Sequence, residues 1–144
     1  MEKTQLCCAL TVALGLLLAT ISHAKVSQID ATPNESAYFL STSIPEKQLA
    51  LLIKAAESHN IPVYLRGLVD DSMEQTAKYM LHLVSTYHVS GVQIDPVRFD
   101  YYGVQQVPAL VKKCGERFDI IYGNIALNDA LTLLDQRGEC RALP

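Results

Sequence analysis

Hydrophobic positions along this chain first run together, then recur at helical or strand spacing. Leu6 to Ile21 is apolar apart from Thr11, Gly15 and Thr20, follows Lys3, and leads to Ser22-His23-Ala24. A short polar start, an apolar run and a small-residue end of the A-x-A kind predict a secretory signal over 1–24, cleaved after Ala24. A membrane anchor is the rival, but the run falls short of the ~20 residues that a bilayer span needs. Lipid attachment at Cys7 or Cys8 is another, although both precede the apolar core of the segment. Residues 25–36 are polar and aperiodic, predicting a flexible entry segment, and the ordered domain is expected over 37–144.

Tyr38-Phe39-Leu40 reads as a short strand buried on both faces. Ser43 and Glu46 have capping-box spacing with Pro45 between them, and Leu49, Leu52, Ile53 and Ala56 then recur on one helical face. Asn60 stops that helix. Pro62 to Val69 is β-rich, with its proline at the first strand position. Asp71 and Glu74 repeat the capping spacing, and Met73, Ala77, Met80, Leu81 and Val84 form an apolar stripe through to about His88. Val89 to Asp95 adds a short extended piece and Val97 to Tyr102 a helical turn. Ala109 to Cys114, a Gly115-Glu116 turn and Arg117 to Tyr122 predict an antiparallel hairpin. Leu127, Ala130, Leu131 and Leu134 line the last helix, and Gly138 ends it.

The order is β-α-β-α-β-β-α, an α/β fold with a mixed central sheet flanked by helices. Crossover helices imply parallel strands, and the hairpin supplies an antiparallel one. The formal net charge is −3, and losing residues 1–24 removes one charge of each sign. A mildly acidic chain without a Lys/Arg run offers little to nucleic acid. Of four cysteines, Cys114 and Cys140 remain after cleavage, in an oxidising compartment that permits a disulfide. Such a bond would staple the C-terminus; free or partner-linked thiols are the alternative.

Tyr102-Gly103-Val104, two spacers and Val107-Pro108 before an apolar strand resemble the cis-proline segment of thioredoxins. That resemblance implies a cis Val107–Pro108 bond, which turns the preceding backbone outward toward an extended peptide; an ordinary trans Val-Pro at a strand start is the alternative. The redox cysteines of that family sit where strand one meets helix one, but here that junction reads Ser41-Thr42-Ser43-Ile44-Pro45. Hydroxyls cannot replace a thiolate in exchange chemistry, so a thioredoxin-like scaffold without its thiol chemistry is expected.

Ser41 to Pro45, Val63-Tyr64-Leu65-Arg66-Gly67-Leu68, Ile94-Asp95-Pro96, Phe99, Tyr102-Gly103-Val104, Val107-Pro108-Ala109 and Tyr122-Gly123-Asn124, in that order, resemble the TrbC family of F-type conjugative transfer systems. The resemblance covers about Ala37 to Leu134. It implies a periplasmic, non-enzymatic protein needed to assemble the conjugative pilus of a type IV secretion system. TraW-like and other assembly proteins are the implied partners, with pilin a further candidate. A partner surface is expected at Ser41, Ser43, Pro45, Arg66, Gly67, Leu68, Tyr102, Val107 and Pro108.

Each of these residues also has a plainer role. Arg66 could bridge a carboxylate or helix end, the serines could cap a helix, and one of Tyr101 and Tyr102 could belong to the core. A serine nucleophile would need a base and an orienting group, for which His59, His82 and His88 are candidates in number only. Those histidines do not form a metal set, and no cofactor is called for. The competing function is a thiol–disulfide oxidoreductase or disulfide chaperone using Cys114 or Cys140.

Overall fold

The computed structural model describes residue 29 and residues 31–141. The predicted signal at 1–24, with Cys7 and Cys8, and residues 25–28 and 30 lie outside the described residues. In chain order the elements are β1 (Asn34–Leu40), α1 (Glu46–Ser58), β2 (Val63–Leu65), α2 (Met73–Tyr87), β3 (Val92–Ile94), α3 (Pro96–Tyr102), β4 (Ala109–Cys114), β5 (Arg117–Tyr122) and α4 (Leu127–Arg137). A 3₁₀ turn, Val69–Asp71, precedes α2.

The five strands lie in the order β3-β2-β1-β4-β5. The β1–β2 and β2–β3 pairs are parallel, whereas β4 runs antiparallel to both β1 and β5. This mixed α/β sheet is the expected class and agrees with a thioredoxin-like fold. It carries one more β-α unit than the sequence pattern implies, because Val92–Ile94 pairs with β2 as an edge strand and α3 makes two full turns. Three residues are too few to show a period, which is why β3 reads only as an extended piece.

The core forms on both faces of β1. Tyr38 and Leu40 face one way and join Leu49, Ile53 and Ala56 of α1, Leu83 of α2, and Leu127, Ala130 and Leu134 of α4. Ala37 and Phe39 face the other way, under Phe99 and Tyr102 of α3. The Phe39 ring meets Phe99 edge-on at 4.8 Å between centroids, a favoured arrangement for aromatic pairs.

Several boundaries move for identifiable reasons. β1 begins at Asn34, three residues ahead of the predicted domain start, because Asn34–Ser36 pair with Lys112–Cys114. β2 keeps only Val63–Leu65 of the predicted eight-residue run, since the chain turns away at Arg66 to reach the 3₁₀ turn. Ser43 does not cap α1: its hydroxyl donates to Ser41 Oγ at 3.0 Å, and Pro45 is the N-cap residue without a side-chain bond. Ser72, not Asp71, caps α2, its hydroxyl accepting from the Gln75 N–H.

The largest change concerns α2. Met73 and Leu81 of its predicted core stripe are 70% and 69% exposed, while Thr76 and Leu83 are buried. The Thr76 hydroxyl accepts from the Val69 N–H at 2.9 Å and donates to the Ser72 carbonyl at 2.7 Å. Those two bonds hold the Thr76 face inward and turn the Met73–Ala77–Leu81 face outward.

Glu46, freed from capping, joins α1 to α2. Its carboxylate accepts from the Tyr87 hydroxyl at 2.7 Å and lies 3.1 Å from His82 Nε2. Cys114 and Cys140 are bonded, with Cα atoms 5.4 Å apart, so the end of β4 is stapled to the segment after α4. Asp119 secures the same segment by accepting from the N–H groups of Glu139 and Cys140.

Two outcomes follow. Closing a loop of 26 residues should contribute ~3 kcal/mol by restricting the unfolded chain, so Cys114→Ser/Cys140→Ser should lower the denaturant-derived stability by about that amount with the native fold retained. The Tyr87 hydrogen bond, followed by that of His82, holds the Glu46 carboxyl below its usual value. A depressed folded pKa contributes stability that is present above the unfolded value and is lost as pH falls through the folded one. Glu46→Gln should therefore lose less stability than the parent on acidification through the carboxylate range, as measured by urea unfolding at a series of pH values.

Candidate functional site

Strand register brings three of the predicted segments to one end of the sheet, an edge formed where β1 and β2 finish and β4 begins. Leu40 pairs with Leu65, so Ser41 and Arg66 leave their strands side by side. Phe39 pairs with Ala109, which puts Pro108 at the same end. The Val107–Pro108 bond is cis. Among the described residues, no backbone hydrogen bond reaches Gln105, Gln106 or Val107. The edge thus joins Ser41 to Pro45, Arg66 to Leu68 and the 104–108 segment.

Arg66 ties two of these segments together. Its Nη2 donates to the Val104 carbonyl at 2.5 Å, and its guanidinium lies 5.0 Å from the Phe99 ring centroid. This is a bridge to the backbone just past a helix end, close to the structural role expected from the sequence, and the residue remains exposed.

A buried polar cluster beneath the edge fixes the approach of α3. Asp95 caps this helix, accepting from the Arg98 N–H at 2.9 Å, while its own N–H donates to the Leu65 carbonyl at 3.0 Å. Pro96 follows at the first helical turn, where its missing N–H is tolerated. Arg98 Nε reaches Asp95 at 3.2 Å, its Nη1 reaches Glu35 at 2.9 Å, and its guanidinium lies 4.5 Å from the Tyr64 ring centroid. The Tyr102 hydroxyl donates to the same Glu35 carboxylate.

Burial disfavours the Arg98 cation, but Tyr64, Glu35 and Asp95 outweigh that cost and hold its pKa above the usual arginine value. Burial and the Glu35 hydrogen bond push the Tyr102 phenol well above its ordinary range. Gly103 then ends α3 in the left-handed region at φ 64°, where a glycine suffers no Cβ clash. Val104 donates to the Phe99 carbonyl at 2.9 Å, and the chain leaves for the cis-proline.

The nine predicted residues divide by exposure. Ser43, Pro45 and Arg66 are exposed; Ser41, Gly67, Leu68 and Val107 are half-buried; Tyr102 and Pro108 are buried. Tyr102 is enclosed by Phe39, Tyr101 and Phe118, so it supports the edge from below and Tyr101 is the outward member of the pair. Of the histidines considered as bases, His59 bonds the Ala55 carbonyl and Asn128, and His82 bonds Glu46 and Thr86. None of these bonds involves Ser41 or Ser43, which bond to one another. The disulfide lies at the far end of β4 from Pro108, roughly 20 Å away at strand rise.

Glu35 and Arg98 escape the sequence pattern. Glu35 falls in the segment read as flexible, and Arg98 sits in a stretch with no clear period. The Asp95-Pro96-x-Arg98 spacing carried the one available signal, a capping carboxylate within reach of an arginine one turn on.

Residues 38–134 match the family model for the type-F conjugative transfer system pilin assembly protein. Over 113 residues the chain is 42% identical to the periplasmic protein TrbC of Escherichia coli (strain K12), covering 78% of this chain and 53% of that protein. The chain spans about half the length of the curated relative it matches.

Arg98→Met should destabilise the fold by about 3 kcal/mol, because removing one partner of a buried pair strands the others. Pairing it with Glu35→Gln should cost less than the two single changes together. Urea unfolding of the four proteins in the cycle measures both effects.

Proposed function

Because the chain belongs to the family of type-F conjugative transfer system pilin assembly proteins, we propose that it is a periplasmic, non-enzymatic factor for F-type conjugative pilus assembly in a type IV secretion system. It acts by protein binding at the edge built from Ser41, Ser43, Pro45, Arg66, Gly67, Leu68 and Val107-Pro108, with Tyr102 holding that edge from beneath. The observation that carries this reading is the meeting of three segments from separate parts of the sequence around an unpaired stretch of backbone at 105–107. Open N–H and C=O groups beside hydroxyls and a guanidinium suit an extended segment of another protein.

Several features support the location and mode of action. The relative is described as periplasmic, the first 24 residues read as an export signal, and a disulfide suits an oxidising compartment. No helix among the described residues is long and apolar enough to cross a membrane. Among the described residues Ser41 and Ser43 bond to each other and not to a histidine, and the disulfide lies away from the cis-proline edge where thioredoxin-like exchange would occur. TraW-like and other secretion assembly proteins are the proposed partners, with pilin a further one.

Arg66→Ala and Val107→Asp should abolish or sharply reduce pilus formation in cells, while the unfolding temperature of each purified variant stays within about 5 °C of the parent. Normal pili from both variants would contradict the proposed edge.

A further inference from the structure

The outward face of α2 is an apolar stripe with an acidic end. Met73 and Leu81 are 70% and 69% exposed, Val84 is 47% exposed, and Ala77 between them is exposed as well. These positions are four, four and three residues apart, the spacing that aligns side chains along one helix face. Such stripes ordinarily seat on a core. Here Thr76, Leu83 and the half-buried Tyr79, Met80 and Tyr87 occupy the inward face instead.

The neighbouring helix does not run alongside the whole stripe. Glu46, the first residue of α1, bonds to His82 and Tyr87, in the second half of α2. The turns carrying Met73 and Ala77 therefore extend past the start of α1. What packs there is the 3₁₀ turn, through the Val69 N–H bond to Thr76.

Charge at that projecting end is net negative. Asp70, Asp71 and Glu74 are all exposed, and among the described residues only Glu74 has an ion-pair partner, Lys78 at 2.6 Å. Asp70 and Asp71 stand in the left-handed region at φ 50° and 51°, so the backbone there is set by the turn. Two unpaired carboxylates next to an apolar stripe favour a cationic occupant and disfavour an anionic lipid surface.

We propose that the Met73–Ala77–Leu81–Val84 face of α2 is a docking site for an amphipathic helix of another protein, with lysine or arginine at the end that meets Asp70 and Asp71. Apolar anchors on the partner would cover the stripe, Ala77 would permit close approach, and the carboxylates would set its direction. The apolar stripe shares no residue with the cis-proline edge, although Asp70 and Asp71 follow Leu68 of that edge by two and three positions.

The test uses a synthetic amphipathic peptide of about 18 residues, with leucines at helical i, i+4, i+7 spacing and lysines at one end, and fluorescence anisotropy against the disulfide-bonded chain. The same peptide with glutamates replacing the lysines is the control. Binding of the lysine form should fall roughly tenfold in Leu81→Glu and in Met73→Glu, and several-fold in Asp70→Asn/Asp71→Asn with a flatter salt dependence. The glutamate peptide should bind at least roughly tenfold more weakly.

Both apolar variants should unfold within about 3 °C of the parent, as exposed positions do. A larger fall would mean that these side chains are packed and would overturn the proposal. So would peptide binding that ignores all three variants, no binding at all, binding to anionic vesicles instead, or a dimer of the chain itself that Leu81→Glu dissociates. Variants of Val107 should leave peptide binding unchanged; loss of binding there would assign the peptide to the other surface.

Discussion

The guanidinium of Arg98 organises the half of the molecule that carries the proposed binding edge. It is 7% exposed and lies among Glu35 at the start of β1, Asp95 at the head of α3, and the Tyr64 ring of β2. Three elements from distant parts of the chain therefore share one cation. A buried charge is tolerated only with its partners in place, so α3 has little freedom to shift without breaking several bonds at once. What leaves α3 is the Gly103-Val104 turn and then the cis-proline, and the position of the edge follows from that anchoring.

The two ends of the sheet are built differently. At one, the Gly115-Glu116 turn, the Cys114–Cys140 bond and the hydrogen bonds from Glu139 and Cys140 to Asp119 hold the C-terminal segment. At the other, strands end in segments with few backbone bonds, held by Arg66 and by the polar cluster beneath. Covalent and charged restraints thus sit away from, or below, the surface that remains open.

The parts of the fold that were legible in the sequence are those where local pattern and tertiary packing agree. The hairpin Ala109–Cys114 and Arg117–Tyr122 has a turn signal between two β-rich runs, and the structure keeps those bounds. The last helix likewise buries Leu127, Ala130 and Leu134 as its spacing implies. Pattern misleads where side-chain hydroxyls and charges compete with it. Thr76 turns α2 so that a convincing apolar stripe faces solvent, and Glu46 leaves its capping role to accept from Tyr87. Of the candidate site, the segments and the cis bond were readable through family resemblance, because short motifs carry it. The Glu35–Arg98 pair was not, because it joins positions 63 apart that no periodicity connects.

The central claim is that the edge around Ser43, Arg66 and Val107 meets another pilus-assembly protein directly. Photoreactive residues placed singly at Ser43, at Val107 and, as a control at the closed end, at Glu116 would test it in cells that assemble the secretion system. Crosslinks from the first two positions to one and the same conjugation protein, with none from Glu116, are the expected result. Pili forming normally with no crosslink from Ser43 or Val107, or equal capture from Glu116, would contradict the assignment of this edge as the binding face.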